Sequence, residues 1–219
     1  MKKNEKATEI YKRLHKLYPD AHCELDHKNA YELLVATILS AQCTDVRVNM
    51  VTPNLFKKYP TPEKLAKADQ LDVEEIIRST GFYKNKAKNI ISCASELVTR
   101  FKSEIPQSIE ELSSLAGVGR KTANVVLGNI YNINEGVVVD THVKRITNLL
   151  GLTKHEDPEK IEQDLMKLYP QDSWCELSHL FIFLGRRTCI ARRPQCDLCV
   201  LNDLCPSVKK ISQTKKKTK

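Results

Sequence analysis

The chain has 219 residues, 41% of them apolar and 28% charged, with a net charge of +8. That length suits one large domain or two small ones. The absence of any run of 18 uncharged apolar residues argues against a membrane-spanning helix, and Met-Lys-Lys-Asn-Glu-Lys leads into no apolar stretch of the kind a secretory signal needs, so a cytoplasmic setting is expected. Six lysines and no acid fall in 209–219, leaving only +2 for the rest. This end reads as a disordered basic tail, and net charge alone says little about nucleic acid.

The expected elements are all helical. Ile10, Leu14 and Leu17 mark a surface helix within residues 5–18. Asn29 with Glu32 forms a capping box for Ala30–Ser40, which is apolar nearly all round and is expected at a domain centre. Thr44 caps the next helix, with Pro53 as a potential kink. Thr61-Pro62 supplies an N-cap and a first-turn proline. Asp72 with Glu75 is expected to cap a helix ending at Gly81. Ile90, Ile91, Ala94, Leu97, Val98 and Phe101 form the next apolar stripe.

Ser108 with Glu111 opens a short helix that ends at Gly117; Gly117-Val118-Gly119 is a tight hairpin, and Arg120–Ile130 begins a second helix. Such a hairpin aims backbone N–H groups outward at a helix start, a seat for one phosphate. Lys121 in that first turn opposes the helix dipole, which suggests a phosphate contact or an activated amine. Asp140 follows the apolar run Val137-Val138-Val139 and precedes Thr141-His142, an acid at the start of the next helix, where a carboxylate is stabilised. From these residues alone, a surface lysine and a capping aspartate are the simpler readings. Further helices cover His142–Leu150, the segment after Asp157-Pro158 carrying Ile161, Leu165 and Leu168, and the stripe Trp174, Leu177, Leu180, Phe181 and Leu184. Only Val137–Val139 is strand-like, and it is too short for a sheet, so the chain is expected to be all-α.

Of eight cysteines, Cys23, Cys43, Cys93 and Cys175 are scattered among apolar or helical surroundings and read as small buried residues. The other four, Cys189, Cys196, Cys199 and Cys205, follow the pattern C-x6-C-x2-C-x5-C. Structural zinc more often uses two C-x2-C knuckles. One C-x2-C with a flanking cysteine on each side better suits a loop wrapped around an iron–sulfur cubane. Arg186, Arg187, Arg192 and Arg193 lie around this loop with no acid between Gly185 and Gln195. They read as a solvated face or as a grip on a duplex backbone.

Lys-Thr-Ala-Asn-Val-Val after the glycine hairpin, Val-Asp-Thr-His at 139–142, and the cysteine spacing together resemble the endonuclease III family of DNA glycosylases. The resemblance runs from about residue 20 to residue 206. One departure is Ala116, where the family often has proline. The resemblance implies two helical lobes, 22–132 with the helix-hairpin-helix and 1–21 plus 133–208 with a 4Fe–4S cluster held by the four cysteines, and a cleft between them. It implies that Lys121 is the nucleophile and Asp140 the catalytic acid. It places Gln42 in the position of a glutamine that fills the hole left by an extruded base, and Phe82 where the family usually has a leucine wedge. From the residues alone, Gln42 could cap a helix and Phe82 could pack in the core. Gly117, Gly119, Arg120, Arg186 and Arg193 are the further expected DNA contacts. The implied activity is a bifunctional DNA glycosylase/AP lyase of base excision repair. It removes oxidised pyrimidines through a lysine Schiff base and β-elimination, and acts as a monomer on damaged or abasic double-stranded DNA, at the nucleoid in a bacterium. An adenine or mismatch glycosylase is disfavoured because a monofunctional enzyme has no need of Lys121. A non-catalytic DNA-binding module is disfavoured by Lys121 together with Asp140.

Overall fold

Short polar side chains set most of the helix starts in the computed structural model, which describes residues 2–208. The helices are α1 (Lys3–Leu17), α2 (Ala30–Leu39), α3 (Asp45–Lys58), α4 (Pro62–Ala66), α5 (Gln70–Ile77), α6 (Tyr83–Phe101), α7 (Ile109–Ser113), α8 (Arg120–Val126), α9 (Thr141–Leu149), α10 (Pro158–Met166) and α11 (Trp174–Arg187). No strand occurs among the described residues, and none of their helices is long and apolar enough to cross a membrane. The basic tail 209–219 lies outside the described residues.

Asn29, Thr44, Thr61, Ser108 and Asp157 each accept the backbone N–H three residues on, at the starts of α2, α3, α4, α7 and α10. Each such cap contributes about 1 kcal/mol. The Glu32 carboxylate reaches back one residue further than a capping box would, accepting from the Lys28 N–H at 2.8 Å.

The expected cap at Asp72 is corrected. Asp69 caps α5, its Oδ1 accepting from Leu71 N–H at 2.9 Å and Asp72 N–H at 3.1 Å. Asp72 instead accepts from Lys58 Nζ and the Tyr59 hydroxyl, both at 2.5 Å, and so ties α5 to the end of α3. Helix α3 runs on through Pro53, held by buried Val48, Val51, Thr52 and Leu55. Leu17 is 41% exposed, and the buried face of α1 is Ala7, Ile10 and Leu14 instead. Helix α8 passes into a π turn, Leu127–Tyr131, which accommodates Gly128 without a break.

The chain divides into two units. Cys23–Glu135 forms one, and Met1–His22 with Gly136–Lys219 forms the other. In the first, α2 is the centre: every residue from Leu33 to Leu39 is buried, and α3, α6 and α8 pack on it. In the second, α11 buries Leu177, Leu180, Phe181, Phe183 and Leu184 and packs on α9 and α1. Full burial of each large side chain contributes about 1.5–3 kcal/mol. Val137–Val139 is buried in this unit without strand pairing, and the Val138 N–H donates to Ser178 Oγ at 3.0 Å.

Candidate functional site

Helix α7 ends at Ser113, and Gly117 turns the chain with φ +75°. A Cβ at Gly117 would stand 2.9 Å from the Asn89 Cβ, so both conformation and packing require glycine there. The Val118 N–H donates to Leu115 O at 3.1 Å, and the Val118 side chain is buried, anchoring the hairpin to the core. Gly119 is the N-cap of α8; it brings no side-chain acceptor to the first-turn N–H groups, and a Cβ there would meet nothing within 4 Å. Its missing side chain therefore leaves room outside the protein. Arg120 and Lys121 follow, both exposed, and Arg120 donates to Glu135 O at 3.3 Å.

These two glycines predict different variants. Gly119→Ala should stay within about 1 kcal/mol of wild type in thermal melts but weaken duplex affinity, because the new methyl occupies the hairpin's outer face. Gly117→Ala should cost about 1–3 kcal/mol in the same melts through left-handed strain and the Asn89 clash. Equal melting losses would mean that the hairpin's outer face is not open.

The same unit carries two further loops. Gln42 lies in the turn between α2 and α3, exposed, with φ +53°. It does not cap α3, because Thr44 does. Phe82 precedes α6 with φ +49° and is 65% exposed, so it does not pack in the core. An aromatic residue held in the left-handed region and facing solvent is strained, and such strain persists only where the surroundings enforce it.

In the other unit, Asp140 is the N-cap of α9. Its Oδ1 accepts the N–H groups of both His142 and Val143 at 2.8 Å. The capping role foreseen as the plain alternative is therefore real, and it fixes the carboxylate's orientation through a single oxygen. The neighbouring His142 imidazole is shifted toward its neutral form, first by burial.

The four cysteines line one pocket with Leu149, Leu150, Leu184 and Leu201. Cys196 and Cys199 bracket a 3-10 turn, Cys196–Leu198, and a second turn, Asn202–Leu204, leads into Cys205. Asn202 Nδ2 donates to Cys196 O at 2.6 Å and so joins the two turns. Burial pushes the Cys189 thiol up to about 11, against an opposing pull from Arg145, and raises Cys199 as well. Thiols in such a pocket ionise readily only beside a cationic centre, which the irons of a cluster supply. Among the described residues no three His, Cys, Asp or Glu side chains group closely enough to hold a single metal ion.

Nothing in the sequence singles out Arg145, yet its guanidinium donates to Cys189 O at 2.8 Å and Gly185 O at 3.2 Å, bracing the start of the cysteine loop. All four arginines around the loop, Arg186, Arg187, Arg192 and Arg193, are exposed. Arg187 also lies over the Phe183 ring at 4.0 Å and the Tyr18 ring at 5.5 Å, which adds a packing role.

Residues 35–171 match the family model described as HhH-GPD superfamily base excision DNA repair protein. Residues 189–205, from the first loop cysteine to the last, match the iron–sulfur binding domain of endonuclease III. Endonuclease III of Synechocystis sp. is 56% identical over 205 residues, 94% of each chain. A non-covalent endonuclease III–DNA complex has a TM-score of 0.92 and 42% identity, covering 97% of this chain and 99% of that one. A trapped endonuclease III–DNA covalent intermediate gives the same score and identity, covering 97% and 100%.

Proposed function

The chain belongs to the endonuclease III family of HhH-GPD base excision DNA repair proteins, and we propose that it removes oxidised pyrimidines from duplex DNA with Lys121 as nucleophile and Asp140 as catalytic acid. The observation that carries this reading is the exposed Lys121 amine in the first turn of α8, directly after a hairpin whose outer face is open at Gly119. The covalently trapped relative, 42% identical, supports a covalent route.

In that route the Lys121 nitrogen bonds to C1′ of the extruded nucleotide, and the glycosidic electron pair leaves with the base. Ring opening gives an imine between Lys121 and C1′. Loss of a proton from C2′ then expels the 3′ phosphate, nicking the strand. Asp140, its Oδ1 held by two backbone N–H groups, offers a fixed negative charge to the cationic sugar and a site for protons in transit. Cys189, Cys196, Cys199 and Cys205 would hold the 4Fe–4S cluster, which serves here to order the loop. We further assign a cytoplasmic, nucleoid-associated monomer.

A panel of duplexes, each with one defined lesion, tests the reading. Nicking of oxidised-pyrimidine and abasic duplexes is expected; tight binding without any nick would reduce the chain to a DNA-binding module. Salt dependence tests the arginines. Arg193→Ala should weaken binding to all duplexes about equally and lower the slope of log K against log salt by about 0.9 for one lost phosphate contact. Arg187→Ala should leave that slope unchanged and lower the melting temperature, because its guanidinium covers aromatic rings. A change in lesion preference without a change in slope would assign Arg193 to base reading.

A further inference from the structure

Lys86 occupies a core position on α6, beside Ala87 and Ile90, and is only 5% exposed. Burial pushes its amine below the usual lysine range, a cost that an apolar residue at this site would not carry. The ammonium nitrogen donates to Leu39 O at 2.8 Å and to Thr80 O at 2.9 Å. Leu39 is the last residue of α2, where carbonyls lack helical partners and the helix dipole favours a cation. Thr80 ends the 3-10 turn Arg78–Thr80. The Lys86 backbone N–H also donates to Phe82 O at 3.1 Å, so one residue holds the chain on both sides of Gly81.

Those two carbonyls are the roots of the two loops already described. Gln42 stands three residues after Leu39, and Phe82 two residues after Thr80, and each has a left-handed backbone and an exposed side chain. We propose that Lys86 is a positioning residue that fastens the Gln42 and Phe82 loops into one rigid unit for extruding the target nucleotide. Fixing both loops before DNA arrives removes the ordering cost from the binding step, and holds the wedge and the hole-filling amide at one spacing. The inference rests on the reading of the chain as a base-extruding glycosylase.

The test is single-turnover cleavage of two duplexes, one with a paired oxidised pyrimidine and one with a preformed abasic site whose sugar is easier to extrude. Lys86→Met should lose about tenfold or more on the paired lesion and less than about threefold on the abasic site. Phe82→Ala and Gln42→Ala should show the same split. In a Lys86→Met background Phe82→Ala should add little, because the wedge is already unfastened. Lys86→Gln, which keeps a donor, should fall between Lys86→Met and wild type. Equal losses on both substrates, or full additivity with Phe82→Ala, would overturn the proposal. So would unfolding of both Lys86 variants, which would assign the residue to stability alone. Wild-type protein inactive on both duplexes would instead overturn the enzymatic reading.

Discussion

Lys121→Gln is expected to bind lesion duplexes, to form no borohydride-trapped adduct and to lose at least about 1000-fold in strand cleavage. Borohydride reduces a carbon–nitrogen double bond between protein and sugar to a stable amine, and a glutamine amide cannot form that bond. The substitution is confined to chemistry because Lys121 is exposed on α8, whose buried face is Ala123, Asn124 and Val126. Asp140→Asn is the companion variant. The asparagine oxygen can still accept from His142 and Val143 N–H, so α9 keeps its cap while the negative charge is lost. A fall of about 100-fold or more in rate with an unchanged melt is expected, whereas Asp140→Ala should also lose about 1 kcal/mol of helix capping. Denaturing gels after borohydride treatment, with thermal melts beside them, read all three variants. An adduct that survives Lys121→Gln would place the nucleophile on another amine.

Cys199→Ser is expected to yield protein without the yellow-brown thiolate-to-iron absorbance, with residues 184–208 loosened and duplex affinity reduced. Between Cys189 and Cys205 the chain has only two 3-10 turns, and only Cys196 and Leu201 are buried. So little apolar burial cannot order a segment of this length, and cluster binding is coupled to its folding. Because Arg186 and Arg193 flank or lie on this loop, lost order should also appear as a shallower salt dependence of binding. Metal analysis with absorbance spectra of wild type and variant checks this. Stoichiometric zinc without iron in the native protein would overturn the cluster.

Much of this molecule is local in sequence, and most of what is local was legible. Capping at Asn29, Thr44, Thr61, Ser108 and Asp157 depends on contacts within three residues. The all-round apolar α2, the turn at Gly117 and four thiols within the short loop are likewise short-range patterns, and their readings survive in the structure. Asp69, whose capping contacts are equally local, was passed over for Asp72, which Lys58 and Tyr59 hold instead. The place of Arg187 over the Tyr18 ring was not legible, because Tyr18 lies far away along the chain. Lys86 lies ahead of the apolar stripe that begins at Ile90, and its burial was not legible, because its partners Leu39 and Thr80 come from two other elements. The left-handed backbones of Gln42 and Phe82 were equally hidden, since glycine is the residue that ordinarily signals them. Helix identity and ligand spacing are set by neighbours along the chain, whereas the exposure of Phe82 and the partners of a buried charge are set by distant segments, so only the tertiary structure decided them.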